Sequence, residues 1–364
     1  MKEPRHQPIR LLVTGGAGFI GANFAHYWLA NHPEGRLVVL DALTYAGNSA
    51  NLGPVACESG YRFVHGDIRD DALVRTILRE EAIDTIVHFA AESHVDRSIQ
   101  GPDAFIETNI AGTHALLKAA RSLWLNDNSP VRRHRFHHIG TDEVYGSLSE
   151  GEPPFTESSG YAPNSPYAAS KASSDHLARA YRHTYGLNVT ISNCSNNYGP
   201  YQLPEKFIPL AIIRILCGKP IPVYGDGSNI RDWLYVVDHC RAIERVIRYG
   251  EAGTYNIGGN NEWRNIDIAR LLCRLLDDAF ARDPMLSVRF PDAPPASGGK
   301  SGDLITFVED RPGHDWRYAI DAAKAERELG FIPVESFEAG IRKTVDWYLA
   351  HERWWREFFV HQLS

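Results

Sequence analysis

No stretch of this chain is apolar for long enough to cross a bilayer as a helix, and residues 1–8 are polar, without the apolar centre of a secretion signal. Cysteine is scarce and scattered. Cys57, Cys194, Cys217, Cys240 and Cys273 form no Cys-x-x-Cys spacing, so neither a zinc site nor a disulfide framework is expected, and reduced thiols in a cytoplasmic protein fit better. Basic charge is not in excess either. With 38 Lys and Arg against 45 Asp and Glu, the formal charge is −7, which argues against nucleic acid or an anionic membrane as partner. There is no internal repeat and no low-complexity tract. His134, His137 and His138 lie close together but have no companion ligands, so strand packing or exposure is expected there and no metal site.

What is present is ordinary globular composition, 43% hydrophobic and 23% charged, over 364 residues. That length is enough for two domains. The first half alternates short apolar runs with helical patterns. Arg10 to Thr14, Leu37 to Leu40, Tyr61 to Val64, Thr85 to Phe89, Phe136 to Ile139 and Leu187 to Ser192 read as strands. Helices are expected over residues 22–30, 103–125 and 165–185, the last closed by Gly186. Such alternation implies an α/β fold with a Rossmann-type doubly wound parallel sheet. Beyond Asn196 to Pro200 the character changes, with more proline and with basic residues among aromatics. The expected division is a dinucleotide-binding domain over 1–198, rejoined by a segment near 235–262, and a smaller C-terminal α/β substrate-binding domain over most of 199–364. An amphipathic helix is expected within 263–280, a Pro-, Gly- and Ser-rich flexible surface loop over 292–302, and a last helix capped by Ser336 and running to about His351.

Three patterns carry chemistry. The first strand runs into Gly15-Gly16-Ala17-Gly18-Phe19-Ile20-Gly21, a turn that can tighten, approach a pyrophosphate and present a helix N-terminus to it. The second strand ends in Asp41, about twenty residues on, where a carboxylate can accept from a ribose diol and repel a 2′-phosphate, favouring NAD over NADP. Asp67-Ile68, Ala90-Ala91 and Thr108 stand where later strands and the following helix would meet the rest of that cofactor. The second pattern is Tyr167-x-x-x-Lys171, a phenol and an ammonium on one helix face. The third is Thr141-Asp142-Glu143-Val144-Tyr145-Gly146, two adjacent carboxylates beside a hydroxyl at a strand end. A Gly-rich turn alone can be only a turn, and Tyr and Lys four apart recur on many helices. Their joint occurrence in this order narrows the reading to a site that moves a hydride and also moves protons.

These residues resemble the extended short-chain dehydrogenase/reductase superfamily, and within it the dTDP-glucose 4,6-dehydratase family. The Asp142-Glu143 pair is the most discriminating part. It is supported by Ala91-Glu92-Ser93-His94-Val95-Asp96, by Asn193 to Tyr201, by Pro204-Glu205-Lys206, by Tyr224-Gly225-Asp226-Gly227, by Ile230-Arg231-Asp232-Trp233 and by Asp310 to Asp315. Two departures stand out: Gly140 replaces the usual Ser, with little catalytic effect expected, and the 292–302 segment is longer than usual. The resemblance implies NAD held by Gly15, Gly18, Phe19, Ile20, Gly21, Asp41, Ala42, Leu43, Thr44, Asp67, Ile68, Phe89, Ala90, Ala91, Ser93, Thr108, Tyr167, Lys171 and Asn197. It implies a nucleotide-sugar substrate met by Ser93, Thr141, Asn196, Lys206, Pro222, Tyr224, Arg231, Asn265, Arg311 and His314. Catalysis is then expected from Thr141, Asp142, Glu143, Tyr167 and Lys171, with Lys171 lowering the Tyr167 phenol from its usual value of roughly 10. A homodimer joined through helices 103–125 and 165–185 is also implied. Rival readings are the same chemistry on a UDP-sugar, a sugar-nucleotide epimerase, which needs no acid–base pair at C5 and C6, and a catalytically silent NAD-binding regulator, which would be expected to lack part of Thr141, Tyr167 or Lys171.

Overall fold

Seven parallel strands form the centre of the molecule. The computed structural model describes residues 3–126, 129, 131, 133–310 and 312–359. In chain order the strands are β1 (Arg10–Thr14), β2 (Arg36–Asp41), β3 (Tyr61–His65), β4 (Thr85–His88), β5 (Arg135–Thr141), β6 (Val189–Cys194), β7 (Asn196–Tyr198), β8 (Ile221–Tyr224), β9 (Ile230–Tyr235), β10 (Gly253–Ile257), β11 (Glu262–Arg264) and β12 (Ile305–Val308). The main sheet runs β10-β6-β5-β4-β1-β2-β3, every pairing parallel. Apart from β10 this is the dinucleotide-binding order, whose switch point lies between β1 and β4. The strands read as near-continuous apolar runs because helices cover both faces. Leu12, Val38 and Ile86 point into one layer, while Leu11, Val13 and Val39 point into the other.

Chain beyond residue 235 also reaches this sheet. Helix Val236–Tyr249 buries Cys240, Ile243 and Ile247 with Phe24 and Trp28 of helix Phe19–Asn31, and β10 then adds the edge strand beside β6. One return was not foreseen: Ala325, Leu329 and Phe331 pack with Leu234, Val246 and Tyr255 against that same edge. A smaller sheet, β11-β9-β7, and a two-stranded one, β12-β8, belong to the other half. Its core gathers Ile212, Leu216, Leu272, Leu276, Phe337 and Tyr348.

Local expectations hold in most places. Helix Pro166–Tyr185 is capped by Ser165, which accepts from Ala168 N–H, and ends at Gly186 in the left-handed conformation. Helix Phe337–Ala350 is capped by Ser336, but it is not the last. Glu352–Phe359 follows, anchored by Trp355, whose indole donates to Tyr348 O at 2.9 Å. The 292–302 segment is not the open loop its composition suggested. It forms the turns Pro294–Ser297 and Ser301–Leu304, and Ser301 is buried with its N–H donating to Asp277 Oδ1 at 3.1 Å. The expected 103–125 helix contains a π-helical stretch, Ile106–Gly112, between Asp103–Phe105 and Thr113–Trp124.

Candidate active site

The ends of β1, β4 and β5 and the start of β7 open into one cleft of about 450 Å³. Its floor begins with the Gly-rich turn. Gly15 has φ +71°, and a Cβ there would sit 2.5 Å from Ala90 N; one on Gly21 would sit 2.3 Å from Gly15 O. Only glycine lets β1, the β4 end and the helix come this close. Gly18 then heads helix Phe19–Asn31, whose first turn has no acidic residue, so its N–H groups offer a site for an anion.

Asp41 stands at the end of β2, only 8% exposed, accepting from Ala17 N–H and Leu43 N–H at 2.8 Å each. Burial raises its carboxyl above the usual range, and those two hydrogen bonds work against the rise. Leu43, expected to touch the cofactor, does not line the cleft. It adopts φ +49° and contributes its backbone N–H to Asp41. The remaining residues expected around the cofactor all line the cleft, from Gly18, Phe19, Ile20, Ala42 and Thr44 through Asp67, Ile68, Phe89, Ala90, Ala91 and Ser93 to Thr108 and Asn197.

The π-helical stretch explains Thr108. Next to it Asn109 is buried, donating to Glu92 O at 3.0 Å and to Ser170 Oγ at 2.8 Å, while its Oδ1 accepts from Glu92 N–H. The wider turn thus ties the β4 loop to helix Pro166–Tyr185 and leaves Thr108 facing the cleft. Such stretches recur at functional sites for this reason.

The catalytic candidates meet at the end of β5. Thr141 ends the strand and caps the 3₁₀ turn Asp142–Tyr145, its Oγ1 accepting from Glu143 N–H at 3.3 Å. Thr141, Asp142, Glu143, Tyr167 and Lys171 all line the cleft. Asp142 is 2% exposed, and its Oδ2 has no hydrogen-bond partner among the described residues. Burial, then the charges of Glu143 and Asp232, raise its carboxyl well above the ordinary range; Arg231 and the Thr141 hydroxyl pull the other way. Asp142 therefore holds its proton to higher pH than an ordinary carboxyl, beside the more exposed Glu143.

Tyr167 stands higher than expected in the protein alone. Burial and the Glu143 charge hold its phenol above the usual value, and the group acting to lower it is the Thr141 hydroxyl. Lys171 is itself buried; desolvation pulls its ammonium down, and its nearest partner is Ile139 O at 2.7 Å. In the protein alone its charge is taken up by that carbonyl and by Asp175.

Of the substrate candidates, Ser93, Thr141, Asn196 and Lys206 line the same cleft. Lys206 donates to Ser93 O at 3.0 Å, and the Oδ1 of Asn196 is buried without a partner among the described residues. Arg231 lies just behind, 5% exposed, donating to Asp315 O at 2.8 Å with its guanidinium 4.3 Å from the Tyr318 ring centre. Pro222, Tyr224, Asn265 and His314 do not line this cleft. Tyr224 and His314 pack edge to face at 5.9 Å, and His314 pairs with Asp310 at 2.6 Å. Arg311 lies outside the described residues. Sequence reasoning missed Gln202, Leu203, Glu205 and Cys194, which also line the cleft. Glu205 and Cys194 stood inside stretches that carry the resemblance without being given a role, and nothing local marked Gln202 or Leu203. The expected packing role holds for the two strand histidines that are fully buried: His137 Nδ1 lies 2.9 Å from Thr190 Oγ1, and His138 Nε2 lies 3.2 Å from Asp175 Oδ1.

Comparison with known proteins agrees with this geometry. A family model described as GDP-mannose 4,6 dehydratase matches residues 12–344. The dTDP-glucose 4,6-dehydratase of Xanthomonas campestris is 54% identical over 349 residues, covering 94% of both chains. That of Salmonella typhimurium is 52% identical, covering 95% of this chain and 94% of its own. Among solved structures, the dTDP-glucose 4,6-dehydratase of Streptomyces venezuelae, with NAD bound, superposes with a TM-score of 0.84 at 47% identity, covering 95% of this chain and 99% of its own. UDP-glucose 4-epimerase of Thermotoga maritima reaches 0.79 at 25% identity, covering 94% and 99%. Such identity over nearly the full length, with the Asp142-Glu143 pair in the cleft beside Tyr167 and Lys171, places this chain in the dTDP-glucose 4,6-dehydratase family.

Proposed function

We propose that the protein converts dTDP-glucose to its 4-keto-6-deoxy sugar nucleotide with loss of water, using bound NAD. The observation that carries this is Asp142: a buried carboxyl held above its ordinary range beside Glu143, in the cleft that also holds the Gly-rich turn, Tyr167 and Lys171. An epimerase needs no such acid.

The residues present fit NAD. The Gly15–Gly21 cradle and the unblocked helix N-terminus suit a pyrophosphate, and each Asp41 oxygen, after accepting one backbone N–H, keeps a lone pair for a ribose diol. When bound, NAD supplies the acceptor and later the donor of a hydride. The chain's own groups handle the protons. Tyr167 takes the proton of the sugar 4-hydroxyl, with Thr141 bonded to the same oxygen. A ketone at C4 acidifies the C5 proton, which Glu143 removes. Asp142 gives its proton to the departing 6-hydroxyl, releasing water, and Glu143 returns a proton to C5. Asn196, Lys206 and Arg231 serve the diphosphate and nucleoside side, where forked contacts from Arg suit phosphate oxygens. Pro222, Tyr224, Asn265, Arg311 and His314 are proposed to complete that side when substrate is bound.

The protein should act as a homodimer through helices 103–124 and 166–185, whose outer faces expose Ile106, Ala111, Ala169 and Ala180. A monomer by light scattering at working concentration speaks against this. No described helix is long and apolar enough to cross a membrane, and five free cysteines suit a cytoplasmic location. Incubation with dTDP-glucose and, separately, UDP-glucose tests the assignment. A keto-sugar product lighter by one water is expected from the first; a product from neither overturns it.

A further inference from the structure

Beneath Lys171 the fold keeps a second buried charge that the reaction above does not use. Asp175 lies one helical turn after Lys171, is 0% exposed, and bonds the Tyr161 hydroxyl through Oδ2 at 2.7 Å. Its Oδ1 lies 3.2 Å from His138 Nε2, close enough for charge–dipole attraction though too oblique for a good hydrogen bond. Tyr161 is fixed in turn: Asn193 Nδ2 and Arg179 donate to its oxygen at 2.9 and 2.6 Å. Helix Pro166–Tyr185 therefore meets β5 in three rungs spaced by four residues, with Tyr167 beside Thr141, Lys171 on Ile139 O, and Asp175 on His138.

A buried ammonium with one carbonyl partner is costly unless a counter-charge accompanies it. The titratable groups around Asp175 are Lys171 and Arg179 on its own helix, His138 on β5, His88 on β4 behind it, Tyr161 and Tyr145 from the segment before the helix, and Cys194 on β6. Burial keeps His138 and His88 below their usual range, so both are neutral at pH 7. Burial likewise keeps the Cys194 thiol and both phenols protonated. Burial pushes the Asp175 carboxyl up, but the Lys171 ammonium, the Tyr161 hydroxyl and the dipole of His138 act against it and hold it below the ordinary carboxylate range. It is then the one carboxylate acting to keep Lys171 charged among those named.

We propose that Asp175, held by Tyr161 and His138, is a positioning residue that keeps the Lys171 ammonium charged in its buried seat and in register beneath Tyr167. This rests on the dehydratase reading, in which Lys171 must be charged to favour the Tyr167 phenolate. Removing the Asp175 charge lets desolvation lower Lys171 further, so the alkaline limb of activity that reflects loss of its proton moves to lower pH.

The experiment compares the parent with Asp175→Asn and Tyr161→Phe, following product formation from dTDP-glucose across the pH range. Asp175→Asn should move the alkaline limb down by about one unit or more, the size expected for loss of one nearby opposite charge. Tyr161→Phe, which keeps the carboxylate and removes only its anchor, should move it less. A rate lowered by the same factor at every pH, or an unmoved limb, overturns the proposal and leaves Asp175 a structural residue. Should Asp175→Asn not fold, an unmoved limb in Tyr161→Phe together with His138→Gln counts against it equally. Failure of the dehydratase reading looks different: the parent itself forms no product.

Discussion

Replacing Asp142 by Asn should abolish the acid and strengthen the fold. The side chain is 2% exposed, its Oδ2 is unbonded among the described residues, and burial with the charges of Glu143 and Asp232 opposes its ionisation. An amide of nearly the same volume cannot give a proton to a departing hydroxyl. A positioned general acid contributes about 10²–10⁴-fold, so turnover should fall by that factor, or about 3–5 kcal/mol of barrier at roughly 1.4 kcal/mol per decade. Because Tyr167 and Glu143 are intact, exchange of the C5 proton with solvent deuterium should persist while water loss slows. Stability should move in the opposite sense. The Asp142 carboxyl is raised in the native state, so the native protein binds a proton that the unfolded chain releases above about pH 4. That depresses the parent's stability as pH rises from the unfolded value through the native one, and the Asn variant lacks the penalty. Its stability relative to the parent should grow from nothing near pH 4 to a gain at pH 7, read by urea denaturation at both. Single turnovers in deuterated water, followed by reduced-nicotinamide absorbance and product mass, supply the other half. A variant that stalls before any nicotinamide is reduced, or that is less stable than the parent at pH 7 but not at pH 4, refutes the reasoning.

Glu143→Gln should still permit oxidation at C4, so reduced nicotinamide should accumulate with little C5 exchange; rapid exchange in this variant would remove Glu143 from its role as base. Asp41→Ala should weaken NAD binding and relax the bias against NADP, and equal affinity of the unmodified protein for the two cofactors, by titration calorimetry, contradicts the assignment. The same variant strands the Ala17 and Leu43 N–H groups, so its unfolding free energy should drop by about 1–3 kcal/mol.

The parts of this site that could be read from the sequence are those written in local spacing. The Gly15–Gly21 turn, the alternation of apolar strands with helices, and Tyr167 four residues before Lys171 all follow from periods of one strand or one helical turn. Gly186 and Ser336 announced helix ends through the chemistry of capping. What stayed hidden depends on contacts between distant residues. Leu43 sits next to cofactor-facing positions, yet a positive φ turns it into a backbone support for Asp41. The tie of Ser301 to Asp277 spans 24 residues, so a stretch that looked like open loop by composition is held down. The electrostatics of Tyr167 could not be read from its spacing to Lys171, because burial and the neighbouring Glu143 hold the phenol up in the protein alone. Gly140 gains a meaning only in three dimensions: a Cβ there would meet Asn193 Oδ1 at 2.1 Å, so the usual Ser and the present Asn193 rotamer are incompatible.

The return of the chain to the sheet through β10 has a consequence for how the protein must be made. β6, a run of buried residues ending at Cys194, stays an open edge until residues 253–257 have been synthesised and have crossed to pair with it. Until then the unfinished polypeptide presents an apolar strand with unpaired backbone groups, the kind of edge that recruits other chains. Folding on the ribosome therefore cannot complete the main sheet before residues 253–257 have emerged. A chain cut after β7 should be recovered as aggregate, while one that retains the second domain's return segments should not.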